Sequence, residues 1–475
     1  MNETRLPKYW EALVPAIFMM ALIITCTVVW GIEPHIPIVV SCVVAALMAY
    51  RCGYRWQALI AGILDSISRA TEALIIVMIV GMLIGTWVLA GTMPAMVYYG
   101  LAMISPSAFL VVGAVLCAVV GLATGSSWTA SGTVGVALMG IAAGLGINPA
   151  IAAGMVISGA YMGDKWSPLS DSTNIAAATA ETPLYEHVRS MMTTTLPSFC
   201  IALVLYGIVG FSVGTEGYDP NSVLEIQSAI SGDFNISVWI MIPVLIVIFS
   251  AIKRIPAIPS LLLAIAVAGI IAIIAQGSSF ADVLGAMHYG YETETGNAIA
   301  DKLLNRGGLD SMMWTIGLIM FALAFGGILE KCGFIEVLLG SLVRRVKSVG
   351  GLVAATIVTG IVCDFVLTDQ YLAIIVPGRM YAKVYDSKGL KRSFLSRTLE
   401  DGGTLWSPLV PWNGCGAYQA ATLGVANFDF LPYAFMNLIN PIYAITISYL
   451  NIGVKYIDGS KYGPKQIKET KEIEG

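Results

Sequence analysis

Long apolar stretches alternate along the chain with short polar, glycine-rich intervals, and this rhythm predicts the architecture. Apolar spans fall at 12–31, 36–50, 71–92, 190–214, 236–252, 255–276, 311–330 and 431–452. A helix crossing a hydrocarbon core needs roughly 20 such residues. Two further segments, 106–146 and 349–386, carry polar, turn-prone middles: Thr124-Gly125-Ser126-Ser127 in the first and Thr368-Asp369-Gln370 in the second. They predict hairpins that enter the membrane and return on the same side. Near 163–174 and 402–417, Gly, Pro and polar residues interrupt two crossings. Irregular backbone at membrane depth survives only where protein buries it or where it lines a wet cavity. The segment 51–70 differs, because Trp56, Leu59, Ile60, Ile63, Leu64 and Ile67 recur at helical spacing between polar residues. That pattern suits a helix lying in the interface, or an ordinary loop helix.

Composition supports a lipid solvent. Of the 475 residues, 57% are hydrophobic and 12% charged, against about 25% charged in soluble domains. The first span is too long for a signal-peptide core and has no small-residue cleavage site after it, so it reads as a retained helix. Eight cysteines lie mostly in apolar stretches with no CxxC pair, which argues against disulfides and metal clusters. No Walker A segment and no HExxH occurs, so ATP-driven transport and zinc proteolysis lack their parts.

Charge placement orients the chain. Basic clusters occur at Arg5 and Lys8, at Arg51, Arg55 and Arg69, at Lys253 and Arg254, at Arg344, Arg345 and Lys347, and at Lys388, Lys391 and Arg392. The tail 453–475 adds Lys455, Lys461, Lys465, Lys468 and Lys471, whereas 215–235 is acidic, with Glu216, Asp219, Glu225 and Asp233. One threading puts every basic cluster inside and the acidic segment outside. It places both termini in the cytoplasm and makes about ten crossings.

The sequence repeats. Trp166-Ser167-Pro168-Leu169 recurs as Trp406-Ser407-Pro408-Leu409, with Asn174 and Asn413 shortly after, and Leu64-Asp65-Ser66 recurs as Leu309-Asp310-Ser311 at a similar offset. Thr124 and Thr368 sit at matching tips. The expected fold is an all-α polytopic membrane protein of two inverted repeats, each with a re-entrant hairpin and a broken helix. The first repeat is 1–214, with hairpin 106–146 and broken helix 149–180. The second, after the outer loop 215–235, is 236–452, with hairpin 349–386 and broken helix 393–425. Inverted repeats with broken helices mark secondary transporters, whose sites lie at the repeat interface.

Ionisable residues at membrane depth are functional candidates. The first break offers Asp164, Lys165, Asp171, Thr173 and Asn174 together with Ser167, Ser170 and Ser172. The tips offer Ser126, Ser127, Thr368, Asp369 and Gln370, and the second break offers Asn413. Such oxygens suit a hard cation such as Na⁺. A buried carboxylate among them binds either Na⁺ or a proton, which suffices for antiport. Asp171 and Asp369 lead as those carboxylates. Asp164 with Lys165 also reads as a structural ion pair, Asp364 is a further hairpin carboxylate, and Glu400 with Asp401 reads as a solvated helix end. His35, His187 and His288 fall in predicted loops or ends, with no metal-ligand spacing. A passive channel competes, since polar-tipped loops also build pores, but broken helices bearing carboxylates favour alternating access.

The motifs GDKWSPLSDSTN at 163–174, TDQYLAIIVPGRMY at 368–381 and SRTLEDGGTLWSPLVPWNGCGA at 396–417 resemble the NhaC family of Na⁺/H⁺ antiporters over nearly the whole chain. Ser172 stands where that family's pattern has Thr, which keeps the hydroxyl. The resemblance implies Na⁺/H⁺ exchange, or the malate-for-Na⁺-lactate exchange of some members. It also implies the ion transporter superfamily plan, with an elevator motion in a homodimer. Carried over by position, the cation sites are Thr124 to Ser127 facing the first break and Thr368 to Gln370 facing the second. Related dicarboxylate carriers place Ser-Asn-Thr at both tips. This chain has Gly-Ser-Ser and Thr-Asp-Gln, and the charge of Asp369 suits a cation. For an organic anion, Lys165, Arg379, Asn174 and Asn413 are the available anchors. The implied partners are Na⁺, protons, small carboxylates, the bilayer of the inner (plasma) membrane and a second copy of the chain. No nucleic acid, no cofactor beyond the transported ion and no enzymatic activity are expected.

Overall fold

The computed structural model describes residues 4–458 except 104, 217–219, 254, 298–299, 302–303 and 344–347. Asp219, Arg254, Arg344, Arg345, Lys347, Lys461, Lys465, Lys468 and Lys471 lie outside the described residues. The described residues are helical apart from turns and two isolated bridges, Tyr291 to Arg306 and Leu390 to Tyr456. Seven helices are long and apolar enough to cross a membrane, or nine if each of two bent pairs is one span. The bent pairs are Val223–Asp233 with Val238–Ser250, at 91°, and Asn427–Tyr433 with Phe435–Tyr449, at 56°.

One element differs from the sequence expectation. Residues 56–70 do not form a separate interfacial or loop helix. They begin a single helix, Trp56–Leu89, of 34 residues. Ala70-Thr71-Glu72 carries no Gly, Pro or cap that would stop a helix. Its length of about 51 Å at 1.5 Å per residue exceeds a hydrocarbon core of about 30 Å. The surplus length carries polar residues that pair with helix Leu309–Lys331: Arg69 with Glu330 at 2.5 Å and Asp65 with Lys331 at 3.2 Å. The two helices run antiparallel in close backbone contact. Gly308 N donates to Gly81 O at 2.7 Å, and a Cβ on Gly62 would lie 2.5 Å from Gly327 O. Such contacts need residues without side chains.

Both hairpins have a first arm of 19 residues, Pro106–Thr124 and Val349–Leu367. Each arm ends in a left-handed residue, Gly125 (φ 68°) or Thr368 (φ 60°). Glycine adopts that conformation freely, whereas a β-branched threonine is strained there. The return arms begin at Ser127 and Gln370. The broken helices follow. Pro149–Trp166 stops before Pro168 and resumes as Asp171–Thr179. Arg392–Gly403 stops before a single 3₁₀ turn, Ser407–Leu409, and resumes as Gly414–Leu423. Pro168 and Pro408 remove a backbone donor at each break.

A bulky residue at Gly81 should force the two central helices apart. Gly81→Leu is expected to lower the thermal midpoint in detergent and to shift the protein from its main size-exclusion peak to aggregate. Overpacking of this kind costs about 1–3 kcal/mol. The same change at Gly285, which has nothing within 4 Å of its Cβ position, tests glycine loss without that clash.

Candidate ion-binding site

Four helix starts meet where the hairpins face the breaks, and side chains cap all four. Ser126 Oγ accepts from Thr129 N at 3.1 Å, and Ser170 Oγ from Thr173 N at 3.4 Å. Asp369 Oδ1 accepts from Tyr371 N at 2.6 Å, and Asn413 Oδ1 from Cys415 N at 3.0 Å. Capping satisfies some of the amides that a helix start leaves unpaired. The freed carbonyls of the breaks are met by side-chain amides. Asn174 donates to Pro168 O at 3.0 Å and Ser170 O at 2.8 Å. Asn437 donates to Leu405 O at 2.8 Å and Asn427 to Pro408 O at 3.2 Å.

A cavity of 390 Å³ opens between these elements. Ser126 and Ser127 of the first tip, Asp164, Asp171 and Asn174 of the first break, and Gln370 of the second tip all line it. Arg69 and Glu72, from the long helix, complete the charged part of its wall. Thr173 is buried behind it, its hydroxyl 3.5 Å from Asp164 O. Thr368, Asp369 and Asn413 instead line a separate space of 30 Å³ that shares Gln370 with the larger cavity. The candidate residues thus fall into two neighbouring groups. The smaller space is on the scale of one ion or water. Asp369 keeps Oδ2 buried and unpartnered. Beside it Asp364, fully buried, accepts from Asn413 Nδ2 at 3.1 Å through Oδ1, while its Oδ2 has no partner.

The strongest electrostatic feature joins the two breaks. Lys165, fully buried, holds Glu400 at 2.7 Å and Asp164 at 3.3 Å, and donates to Ser172 Oγ at 2.5 Å. Glu400 and Asp401 are not a solvated helix end: both are fully buried. Burial of a whole helix turn explains this, because every residue of Ser393–Gly403 is enclosed. Asp401 accepts from Thr194 at 2.8 Å and Asn440 at 2.7 Å and lies 3.4 Å from Arg397 Nε. Lys165 is therefore engaged by carboxylates and unsuited to anchor an anion. Arg379 is exposed and does not line the cavity. Sequence reasoning missed the Lys165–Glu400 bond, Arg397, Arg69 and Glu72. The readable signal was Arg397, Glu400 and Asp401 at helical spacing, i, i+3 and i+4, opposite Leu395 and Leu399.

Around Lys165, two carboxylates face one ammonium, so the group has one surplus negative charge. Asp364 and Asp369 have no ion-pair partner among the described residues. A buried, unpaired carboxylate must take a proton or a cation. Among the described residues no group of three or more His, Cys, Asp or Glu could hold a metal ion. Glu72, Asp164 and Asp171 share the wall of the larger cavity with the hydroxyls of Ser126, Ser127 and Ser170, and Asp369 stands in the smaller space with Thr368.

Interrupted helices around a chamber lined by charge define a polytopic membrane transporter. The chain belongs to the Na⁺/H⁺ antiporter family, which its residues 159–452 match, a family of transporters and not of enzymes. It is 42% identical over 439 residues to the Na⁺/H⁺ antiporter NhaC of Alkalihalophilus pseudofirmus, covering 92% of this chain and 94% of that protein. The arginine/ornithine antiporter ArcD of Halobacterium salinarum is 36% identical over 467 residues, 98% of this chain and 96% of that one. The malate-2H⁺/Na⁺-lactate antiporter of Bacillus subtilis is 35% identical over 450 residues, 94% of this chain and 96% of that one.

Removing one partner of the Lys165–Glu400 pair leaves a buried charge, at a cost of about 3–5 kcal/mol. Lys165→Met alone should therefore lower the thermal midpoint sharply. The double variant Lys165→Met with Glu400→Met should regain part of that loss, because it removes one of the two carboxylates that Lys165 neutralises and leaves only Asp164 without its partner. A thermal-shift double-mutant cycle measures this directly.

Proposed function

We propose that the protein exchanges Na⁺ for protons by alternating access, with Asp171 at the larger cavity and Asp369 at the smaller space as the carboxylates that alternate between the two ions. The observation that carries this reading is the placement of the two carboxylates: Asp171 lines the cavity between the first hairpin tip and the first break, and Asp369 lines the smaller space with its Oδ2 buried and unpartnered. Family membership supports it, as does the name of the NhaC relative. In this reading Ser126, Ser127, Thr173, Asn174 and Asp164 supply oxygens near the first carboxylate. Thr368, Gln370 and Asn413 supply them near the second.

The same reading takes the halves as inverted repeats. Support comes from the central helix pair: Gly62 opposes Gly327 and Gly81 opposes Gly308. Gly62 is separated from Gly308 by the same interval that separates Gly81 from Gly327, as a two-fold relation requires. That interval is close to the one between the two hairpin arms. Both termini then face the cytoplasm of the inner (plasma) membrane, supported by the basic clusters. A homodimer working as an elevator completes the reading by likeness to the superfamily.

A second reading is exchange of a small carboxylate coupled to Na⁺ and H⁺. The cavity of 390 Å³ favours it, being far larger than one Na⁺ requires. The malate-2H⁺/Na⁺-lactate relative points the same way.

Proteoliposome flux separates these. Asp171→Asn and Asp369→Asn should each abolish Na⁺-driven proton movement. Asp369→Asn should stay folded, because Asn is as good a helix cap as Asp. Undiminished exchange in both variants would remove these carboxylates from the mechanism. Malate or lactate uptake in the same vesicles would make plain Na⁺/H⁺ exchange a partial reaction, and no uptake under any gradient would exclude those two substrates.

A further inference from the structure

His187 was expected in a loop or at an element's end with no role. It does lie at an element's end, near the start of helix Leu184–Glu216, but fully buried against the charged break. Its two ring nitrogens are held differently. Nδ1 is 2.8 Å from Ser396 Oγ, and the Ser396 hydroxyl donates to Ser393 O at 3.1 Å. Both bonds form together only if Nδ1 carries the ring proton. Nε2 of the neutral ring then presents a lone pair, and the atom it faces is Glu400 Oε1 at 3.8 Å. Neither atom has a hydrogen-bond partner. Two buried acceptors therefore face each other across a gap that lacks one proton. The other carboxylate oxygen of Glu400 is saturated by Lys165 Nζ and Thr404 Oγ1, each at 2.7 Å.

We propose that the gap between His187 Nε2 and Glu400 Oε1 is a proton-binding site of the exchange cycle, coupled to Na⁺ through Lys165. This rests on the antiport reading above. Charge balance agrees with the geometry. Asp164, Lys165 and Glu400 together carry one surplus negative charge. A proton on Nε2 cancels it from one side of Lys165, and Na⁺ in the cavity beside Asp164 cancels it from the other. With both present the group is overcharged, so each ion weakens the other's binding. The step is a simple proton transfer: hydronium gives its proton to the Nε2 lone pair, leaving water and an imidazolium that pairs with the Glu400 carboxylate. Release reverses it. The charged groups that face the ring are Glu400 from helix Arg392–Gly403, Lys165 from helix Pro149–Trp166, and Lys455 from the segment after the last helix. Two exposed residues, Tyr185 and Glu186, separate the buried ring from the helix start and place it close to water.

The test is nitrogen-15 NMR of the imidazoles in the full-length protein in detergent. The chain has three histidines, and the spectrum of His187→Gln identifies the signal. The expected result is an Nδ1–H tautomer at alkaline pH that becomes imidazolium as pH falls, with saturating Na⁺ lowering the midpoint by about one pH unit, the size of shift a nearby charge produces. In vesicles, His187→Gln should move the pH profile of exchange while keeping the KM for Na⁺ at alkaline pH within about twofold, as expected of a group that acts on one protonation step. An Nε2–H tautomer at alkaline pH, or a midpoint indifferent to Na⁺, would overturn the proposal. A pH profile of exchange unchanged in His187→Gln would do the same. Flux by the unaltered protein tests antiport separately: its absence, with a Na⁺-sensitive His187, would overturn the exchange reading alone.

Discussion

A lysine enclosed by protein inside a membrane must be neutralised where it stands, and the way Lys165 is neutralised organises the rest of the molecule. Its partners come from two places. Asp164 adjoins it in sequence, and Glu400 reaches it from the other half of the chain. That second bond fixes the two interrupted helices against each other. It also explains why both helices can stop in mid-course, since the breaks are wrapped by partners that satisfy them. Asn174, Asn427 and Asn437 take the freed carbonyls, while Ser126, Ser170, Asp369 and Asn413 cap the new helix starts. Tyr418 stacks on Trp128 at 4.3 Å and donates to its carbonyl at 2.8 Å, which ties the second break to the first hairpin.

A charged core is costly to build, and the molecule gains from it a site poised between ions. Ion pairing leaves one negative charge over at Lys165, and Asp364 and Asp369 add carboxylates with no ion-pair partner among the described residues. Asp164, Glu400, Asp364 and Asp369 are almost wholly enclosed by protein. Each is stable only as a protonated group or with a bound cation, so protons and Na⁺ compete without needing to share one atom. Exchange follows if the cavity reaches one side of the membrane at a time.

Much of this was legible before the structure. The helical, multi-span class followed from the apolar rhythm. The irregular points at Gly125, Pro168 and Pro408 followed from residue types that stop helices, and the tip at Thr368 from the polar Thr-Asp-Gln run between two apolar arms. Residues 56–70 were misread because amphipathic periodicity and polar insertions suggested a separate interfacial or loop helix, whereas they extend the span that follows. The helix continues because Leu309–Lys331 supplies partners for Asp65 and Arg69, and that partner is invisible in local sequence. Glu400 was undervalued for the same reason. Its position near a helix end suggested water, and only the three-dimensional approach of Lys165 makes it a buried partner. His187 looked idle because its meaning depends on which ring nitrogen Ser396 holds. Contacts between distant segments, and the charge balance they create, are what the linear pattern could not supply.

The central claim is that Na⁺ and protons balance the same buried charge. It is tested most directly by adding Na⁺ to the purified protein in weakly buffered detergent while recording pH and bound Na⁺ together. The account predicts that protons are released in proportion to Na⁺ bound, and that release fades as pH rises and the sites empty of protons. Saturable Na⁺ binding with no proton release near neutral pH would contradict it.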